Sequence, residues 1–184
     1  TSIGSYFTSL NILGENHKFS EVWERYFEHI GDGDKIFIVG SVFGGTGASG
    51  IPTIARIIKN NIKEDVPIGA VLVMPYFRPV GKQGEKTSLN INWRTFNSKV
   101  KMALSFYESQ GFDDIFRTMY FIGENEENFM NVPYSEGGGE QKNKPHYIET
   151  YAAATLFDFL AAPKNDTFRT KFYVIEQKAD EYII

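Results

Sequence analysis

Cysteine is absent from the 184 residues and histidine occurs three times, at His17, His29 and His146. There is accordingly no disulfide framework, no thiolate zinc site and no cysteine nucleophile. The histidines lie far apart without ligand spacing, and each is expected at the surface. No apolar run approaches the roughly 18 residues of a membrane helix; the longest, Ile36 to Phe43 and Ala70 to Met74, are short. A strong excess of one charge is missing too. Nineteen basic against 23 acidic residues give a formal charge of −4, which leaves no global field to draw the chain onto nucleic acid or anionic lipid. A reducing cytoplasm fits this composition. The chain opens at Thr1 without methionine or a charged-then-apolar signal pattern, as expected of a piece of a longer protein. There is no internal repeat, and Gly137-Gly138-Gly139 is the sole low-complexity tract.

What remains is an ordinary globular balance, 42% apolar and 23% charged, sufficient for one packed core. The 15% of aromatic residues fall mostly on apolar faces and are assigned to packing. After Ser20, Val22, Trp23, Tyr26, Phe27 and Ile30 share one helical face, and Gly31-Asp32-Gly33-Asp34 breaks the pattern. Ile36-Phe37-Ile38-Val39 then reads as a strand covered on both sides. A helix is expected from Pro52, with the proline in its first turn, closed by Val66-Pro67. Ala70 to Met74 repeats the buried-strand signature, and the polar stretch Arg78 to Asn92 is long enough to be a binding loop or a poorly ordered segment. Trp93, Phe96, Val100, Ala103, Leu104 and Tyr107 mark a third helix, ended by Gly111. Met119 to Ile122 is the third strand, and Gly123 to Pro145 is expected to be a disordered linker. His146 to Ala162 is apolar almost all round, which predicts a helix buried on most sides. Phe172-Tyr173-Val174-Ile175 reads as a last strand.

Strand and helix alternate, so the expected fold is α/β: a Rossmann-like three-layer domain with a mainly parallel sheet. Ligands in such sheets sit at the carboxyl ends of the strands. The first of these ends carries Phe43-Gly44-Gly45-Thr46-Gly47-Ala48-Ser49-Gly50-Ile51-Pro52, a glycine-rich turn running from a strand into a helix. Glycines let a backbone approach phosphate closely, and the unpaired amides and dipole of a helix amino end favour an anion. Thr46 and Ser49 add hydroxyls able to donate to phosphate oxygens or reach magnesium. The bland alternative is a tight corner. No Gly-Lys-Ser/Thr closes the turn, which sets it apart from a P-loop, and its glycine spacing is not that of a dinucleotide fingerprint.

The turn resembles the signature loop of the tubulin and FtsZ family, Gly-Gly-Gly-Thr-Gly-Ser/Thr-Gly. The core matches at Gly44 to Gly47, and Pro52 falls at the matching distance. Phe43, Ala48 and Ser49 stand where that loop has its first glycine, its hydroxyl residue and its last glycine. Further matches come in order: Met74-Pro75-Tyr76-Phe77 is similar to a strand end reading Lys-Pro-Phe, Gly84-Glu85-Lys86 lies in the loop flanking the ribose, and Ile122-Gly123-Glu124-Asn125 resembles the strand exit whose asparagine reads guanine. The helix from His146 is similar to the central helix on which an aromatic stacks against the base.

The resemblance implies the second half of a divergent tubulin-like nucleotide domain, as in the large bacterial tubulin-like group. Residues 1–162 would be a partial domain ending in its central helix, and 163–184 the start of a following segment or a C-terminal extension. It implies binding of GTP or GDP with Mg2+ and head-to-tail self-association into filaments. The backbone of Gly44, Gly45, Thr46, Gly47, Ala48 and Ser49 would hold phosphate, and Glu85, Asn125, Tyr147 and Tyr151 would face ribose or base. A catalytic acidic loop for GTP hydrolysis finds no match around Lys164-Asn165-Asp166. Alternatives stay open. Asn125 also suits an ordinary turn, Tyr147 and Tyr151 also suit a core, and Asp158 is expected to be exposed. The domain as a whole also reads as a degenerate interaction module without nucleotide turnover, or as an unrelated Rossmann-like enzyme for another phosphate-bearing ligand.

Overall fold

The computed structural model describes residues 18–62, 65–80, 92–133 and 144–163. Three strands, β1 (Ile36–Ser41), β2 (Ile68–Val73) and β4 (Thr118–Ile122), form a wholly parallel sheet in that order. Helix α1 (Lys18–His29) precedes it, α2 (Gly45–Asn61) links β1 to β2, and α3 (Phe96–Ser109) lies between β2 and β4. The last helix is α4 (Tyr147–Ala161). A second parallel pair joins β3 (Phe77–Val80) to β5 (Met130–Pro133).

The period-2 alternation of β2 generates the layers. Ile68, Ala70 and Leu72 pack with Ala55 and Ile58 of α2 and with Val100 and Tyr107 of α3. Val71 points the other way, into a cluster with Tyr120, Ile148, Ala152 and Phe159. The molecule is thus an α/β, three-layer arrangement, with α2 and α3 on one face of the sheet and α4 on the other. Gly69 belongs to the α4 face, where a Cβ would come within 2.8 Å of the Phe159 ring; a side chain there would push the helix off the sheet. Lys35 fastens the far end of α4: its Nζ donates to the carbonyls of Phe159, Leu160 and Ala162 at 3.1, 2.7 and 2.6 Å. A cation on the last, otherwise unpaired carbonyls of a helix is favoured by hydrogen bonding and by the dipole.

Several expectations are corrected. β1 is an edge strand among the described residues; Ile36 and Ile38 pack on the α2 and α3 side and Phe37 on the α4 side, so the run is covered on both faces there, but Val39 is 64% exposed. The polar stretches that read as loop and linker contain β3, a 3₁₀ turn (Glu126–Asn128) and β5. Pro79 and Pro133 are tolerated because a two-stranded ladder is all edge. The glycine run 137–139 and the last predicted strand, 172–175, lie outside the described residues. Helix α4 is not buried on most sides: Ile148, Ala152, Thr155 and Phe159 form its buried seam, while Tyr147, Tyr151, Phe157 and Leu160 are exposed. Its apolar circumference therefore exceeds what the sheet covers.

Candidate functional site

Helix α2 begins at Gly45, with Gly44 as N-cap, and not at Pro52. The glycine turn is therefore itself the first two turns of the helix, and Pro52 lies well inside it. Two features let helix form across so poor a helical sequence. Ser49, 1% exposed, donates its hydroxyl to the Gly45 carbonyl at 2.7 Å. Pro52 lacks the N–H that would pair with the Ala48 carbonyl four residues back, and the Tyr107 hydroxyl of α3 donates to that carbonyl at 2.8 Å instead. Burial pushes the Tyr107 hydroxyl well above the ordinary phenol value, as fits a hydroxyl kept as a donor.

Tyr107→Phe is expected to cost about 1–3 kcal/mol by leaving the Ala48 carbonyl unpaired. Pro52→Ala, which restores a helical N–H, should recover much of that loss. Urea unfolding of the two single variants and the double variant measures the coupling, and strict additivity would contradict the arrangement.

At the helix start, Ala48 N donates to the Gly44 carbonyl, so the amides of Gly45, Thr46 and Gly47 are the ones without a helical acceptor. Gly45 and Thr46 are exposed, and a Cβ on Gly45 would meet nothing within 4 Å. Gly47 is the opposite case: its Cβ would lie 2.0 Å from the Ser41 carbonyl oxygen. One glycine faces open space while the other lets the helix rest against the end of β1. Ser49, 1% exposed, turns its hydroxyl onto the Gly45 and Thr46 carbonyls of its own helix. The Thr46 hydroxyl is the one on the exposed side.

The three strand exits are held together beyond the strands themselves. Val42 N donates to Val73 O, Met74 N to Ile122 O and Glu124 N to Pro75 O. An aromatic chain then crosses this end of the sheet. Phe43 packs on Tyr76, Phe77 and Phe96 at centroid distances of 6.4, 5.8 and 5.1 Å. Tyr76 packs on His146 at 5.0 Å, and His146 on Tyr147 at 4.4 Å. The glycine turn, Asn125 and Tyr147 therefore all sit at the carboxyl end of the sheet.

Asn125 is exposed and caps the 3₁₀ turn without a side-chain bond. Tyr147 and Tyr151 are 43% and 47% exposed and meet edge to face at 6.0 Å, so neither is a core residue. Glu85 lies outside the described residues, as does His17. His146, expected at the surface, is buried and caps α4: its Nδ1 accepts from Ile148 N at 3.2 Å. His29 is exposed and pairs with the Arg25 carbonyl. Asp158 is exposed as expected, yet it accepts at 2.6 Å from the hydroxyl of fully buried Tyr120.

Tyr76 donates to Glu149 at 3.2 Å. Burial first, then the Glu149 charge and this bond, push its hydroxyl from 10.0 up to about 12. The folded state holds that proton more tightly than the unfolded chain, so the contribution is complete below about pH 10 and is lost as pH rises through about 12. Tyr107 acts in the same sense. Folding stability is expected to fall across this interval, and Tyr76→Phe to flatten part of the slope. Chemical unfolding at a series of pH values checks this, an unchanged slope counting against it.

A cleft of about 460 Å3, lined by Lys59, Asp65, Asp114 and Arg117 around Val66, Pro67, Ile68 and Ile115, opens at the amino ends of the strands. Asp65 pairs there with Lys59 at 3.7 Å and Arg117 at 3.5 Å. It lies at the opposite end of the sheet from the glycine turn. Among the described residues no group of three or more His, Asp or Glu side chains is placed to hold a metal ion, and no helix is long and apolar enough to cross a membrane. No family model, curated protein or solved structure matches this chain.

Proposed function

We propose that this chain binds a guanine nucleotide in the manner of a tubulin/FtsZ-like domain, with the phosphates against the amino end of α2. The observation that carries the reading is the exposed helix start, where the free amides of Gly45, Thr46 and Gly47 face a space in which a Gly45 Cβ would meet nothing within 4 Å. Asn125 and Tyr147 lie at the same end of the sheet, where an amide and an aromatic ring suit a base. Among the described residues β1 has one open edge, as the second half of a larger sheet would present.

Mg2+ belongs to the proposal as the counter-ion of a bound triphosphate. The described residues offer it no carboxylate cluster, so phosphate oxygens and water would carry most of its coordination, with the Thr46 hydroxyl as the protein's own donor. Head-to-tail filament assembly and GTP hydrolysis rest on the resemblance alone.

Titration of the full-length protein with a fluorescent GTP analogue, with ATP as competitor, tests the reading. Saturable, magnesium-sensitive binding that prefers GTP is the expected result. Preference for ATP or a dinucleotide would reassign the turn to another phosphate-bearing ligand. Absence of any binding would favour the second reading, an interaction module without nucleotide. The observation behind that second reading is α4, which leaves apolar side chains uncovered by the sheet, Phe157 at 71% exposure with Tyr147, Tyr151 and Leu160 also exposed.

A further inference from the structure

We propose that Arg78 is the positioning residue of a base-reading turn, residues 124–128, on which Asn125 presents its side-chain amide to the nucleobase. The proposal rests on the guanine-nucleotide reading above, with Asn125 at the base, and adds to it the residue that holds Asn125 in place.

The turn follows β4 and is held at Glu124, at the Asn125 backbone, at Glu126 and at Asn128. The Glu124 carboxylate accepts from Asn125 N at 2.7 Å and from Asn128 Nδ2 at 3.1 Å. Asn128 N donates back to the Asn125 carbonyl at 2.9 Å. The Asn125 amide itself has no bond among the described residues. A free amide on a fixed backbone has both an acceptor and a donor to offer a guanine edge, and it loses little freedom on binding.

Arg78 holds this turn from the second sheet. It projects from β3, with its guanidinium 4.8 Å from the centroid of the Trp93 ring and 6.0 Å from that of Phe129. Its Nη2 donates at 2.5 Å to the carbonyl of Glu126, the residue directly after Asn125. Phe129 N donates to the same carbonyl at 3.3 Å, so the arginine makes the shorter bond. Its Nε is buried with no partner among the described residues. An apolar side chain would fill an aromatic gap without that desolvation cost. Arginine, with a planar group that stacks and a fork that donates, can do what neither an apolar residue nor lysine does: lie between two rings and fix a carbonyl at once.

Calorimetric titrations of the full chain with GTP, ATP and inorganic tripolyphosphate test this in wild type, Arg78→Lys, Asn125→Ala and the double variant. Asn125→Ala is expected to lower the GTP-to-ATP affinity ratio by about tenfold and Arg78→Lys by about fivefold. Tripolyphosphate binding should be unchanged in both. The double variant should discriminate no worse than Asn125→Ala alone, because Arg78 acts through Asn125. An unchanged ratio in Arg78→Lys, an equal loss for tripolyphosphate, or an additive double variant would each overturn the proposal. If Arg78→Lys does not fold, Trp93→Phe, which keeps the hydrogen bond and shrinks the stack, carries the same comparison. Wild type that ignores GTP overturns the guanine reading itself. Hydrogen exchange at residues 124–128 then still reports on Arg78: faster exchange in the variant supports its hold on the turn, and identical exchange refutes it.

Discussion

Gly47→Ala is expected to destabilise the fold by at least about 3 kcal/mol, a large part of the total stability of a domain of this size. The added Cβ would lie 2.0 Å from the Ser41 carbonyl oxygen and 3.1 and 3.2 Å from the Ser41 carbonyl carbon and nitrogen. All three are backbone atoms at the end of β1, which is paired to β2 through Ser41↔Val73. No rotamer change relieves the overlap; the helix must move off the strand. That would disturb Ile51, Ala55 and Ile58, which pack into the core from the same helix. Gly50→Ala is the matched control, because a Cβ there meets nothing within 4 Å and alanine is favoured over glycine inside a helix by roughly 0.5–1 kcal/mol. Two glycine-to-alanine changes three residues apart should thus move the urea midpoint in opposite directions. Equal midpoints would show that the helix start does not rest on β1 as described.

The contrast between these two glycines also explains what the sequence disclosed and what it hid. The three central strands were legible because Ile36-Phe37-Ile38-Val39, Ala70 to Met74 and Met119 to Ile122 are continuous apolar runs between turn signals. The start of α2 was not legible, because local propensity in Gly-Thr-Gly-Ala-Ser-Gly argues against helix. Its helix is secured by bonds that composition does not display: Ser49 back to Gly45, and Tyr107, far away in sequence, to the carbonyl freed by Pro52. Strands β3 and β5 were hidden for a related reason. Each is four residues long, polar or proline-containing, and their pairing spans about fifty residues, so neither carries a periodic signal by itself. Within the candidate site, the glycine turn and Asn125 could be named from sequence. The Arg78 stack on Trp93 and Phe129, and the burial of His146 beneath Tyr76, arise from tertiary contacts alone.

Gly45→Val should separate nucleotide binding from folding. In contrast with Gly47, an added Cβ at position 45 meets nothing within 4 Å, so the unfolding midpoint should stay within about 0.5 kcal/mol of wild type. Valine is expected instead to occupy the volume in front of the free amides of residues 45–47, the volume that a phosphate must enter to reach them. The expected loss in GTP affinity is roughly 100-fold, about 2.7 kcal/mol. It should be shared by GDP and tripolyphosphate, because phosphate rather than base is excluded. Asn125→Ala should do the reverse, weakening GTP far more than tripolyphosphate. Fluorescent-nucleotide titration beside thermal unfolding of the same variants separates the two effects. If Gly45→Val binds GTP as wild type does while remaining folded, the phosphate is not held at the start of α2 and the nucleotide site lies elsewhere on the chain.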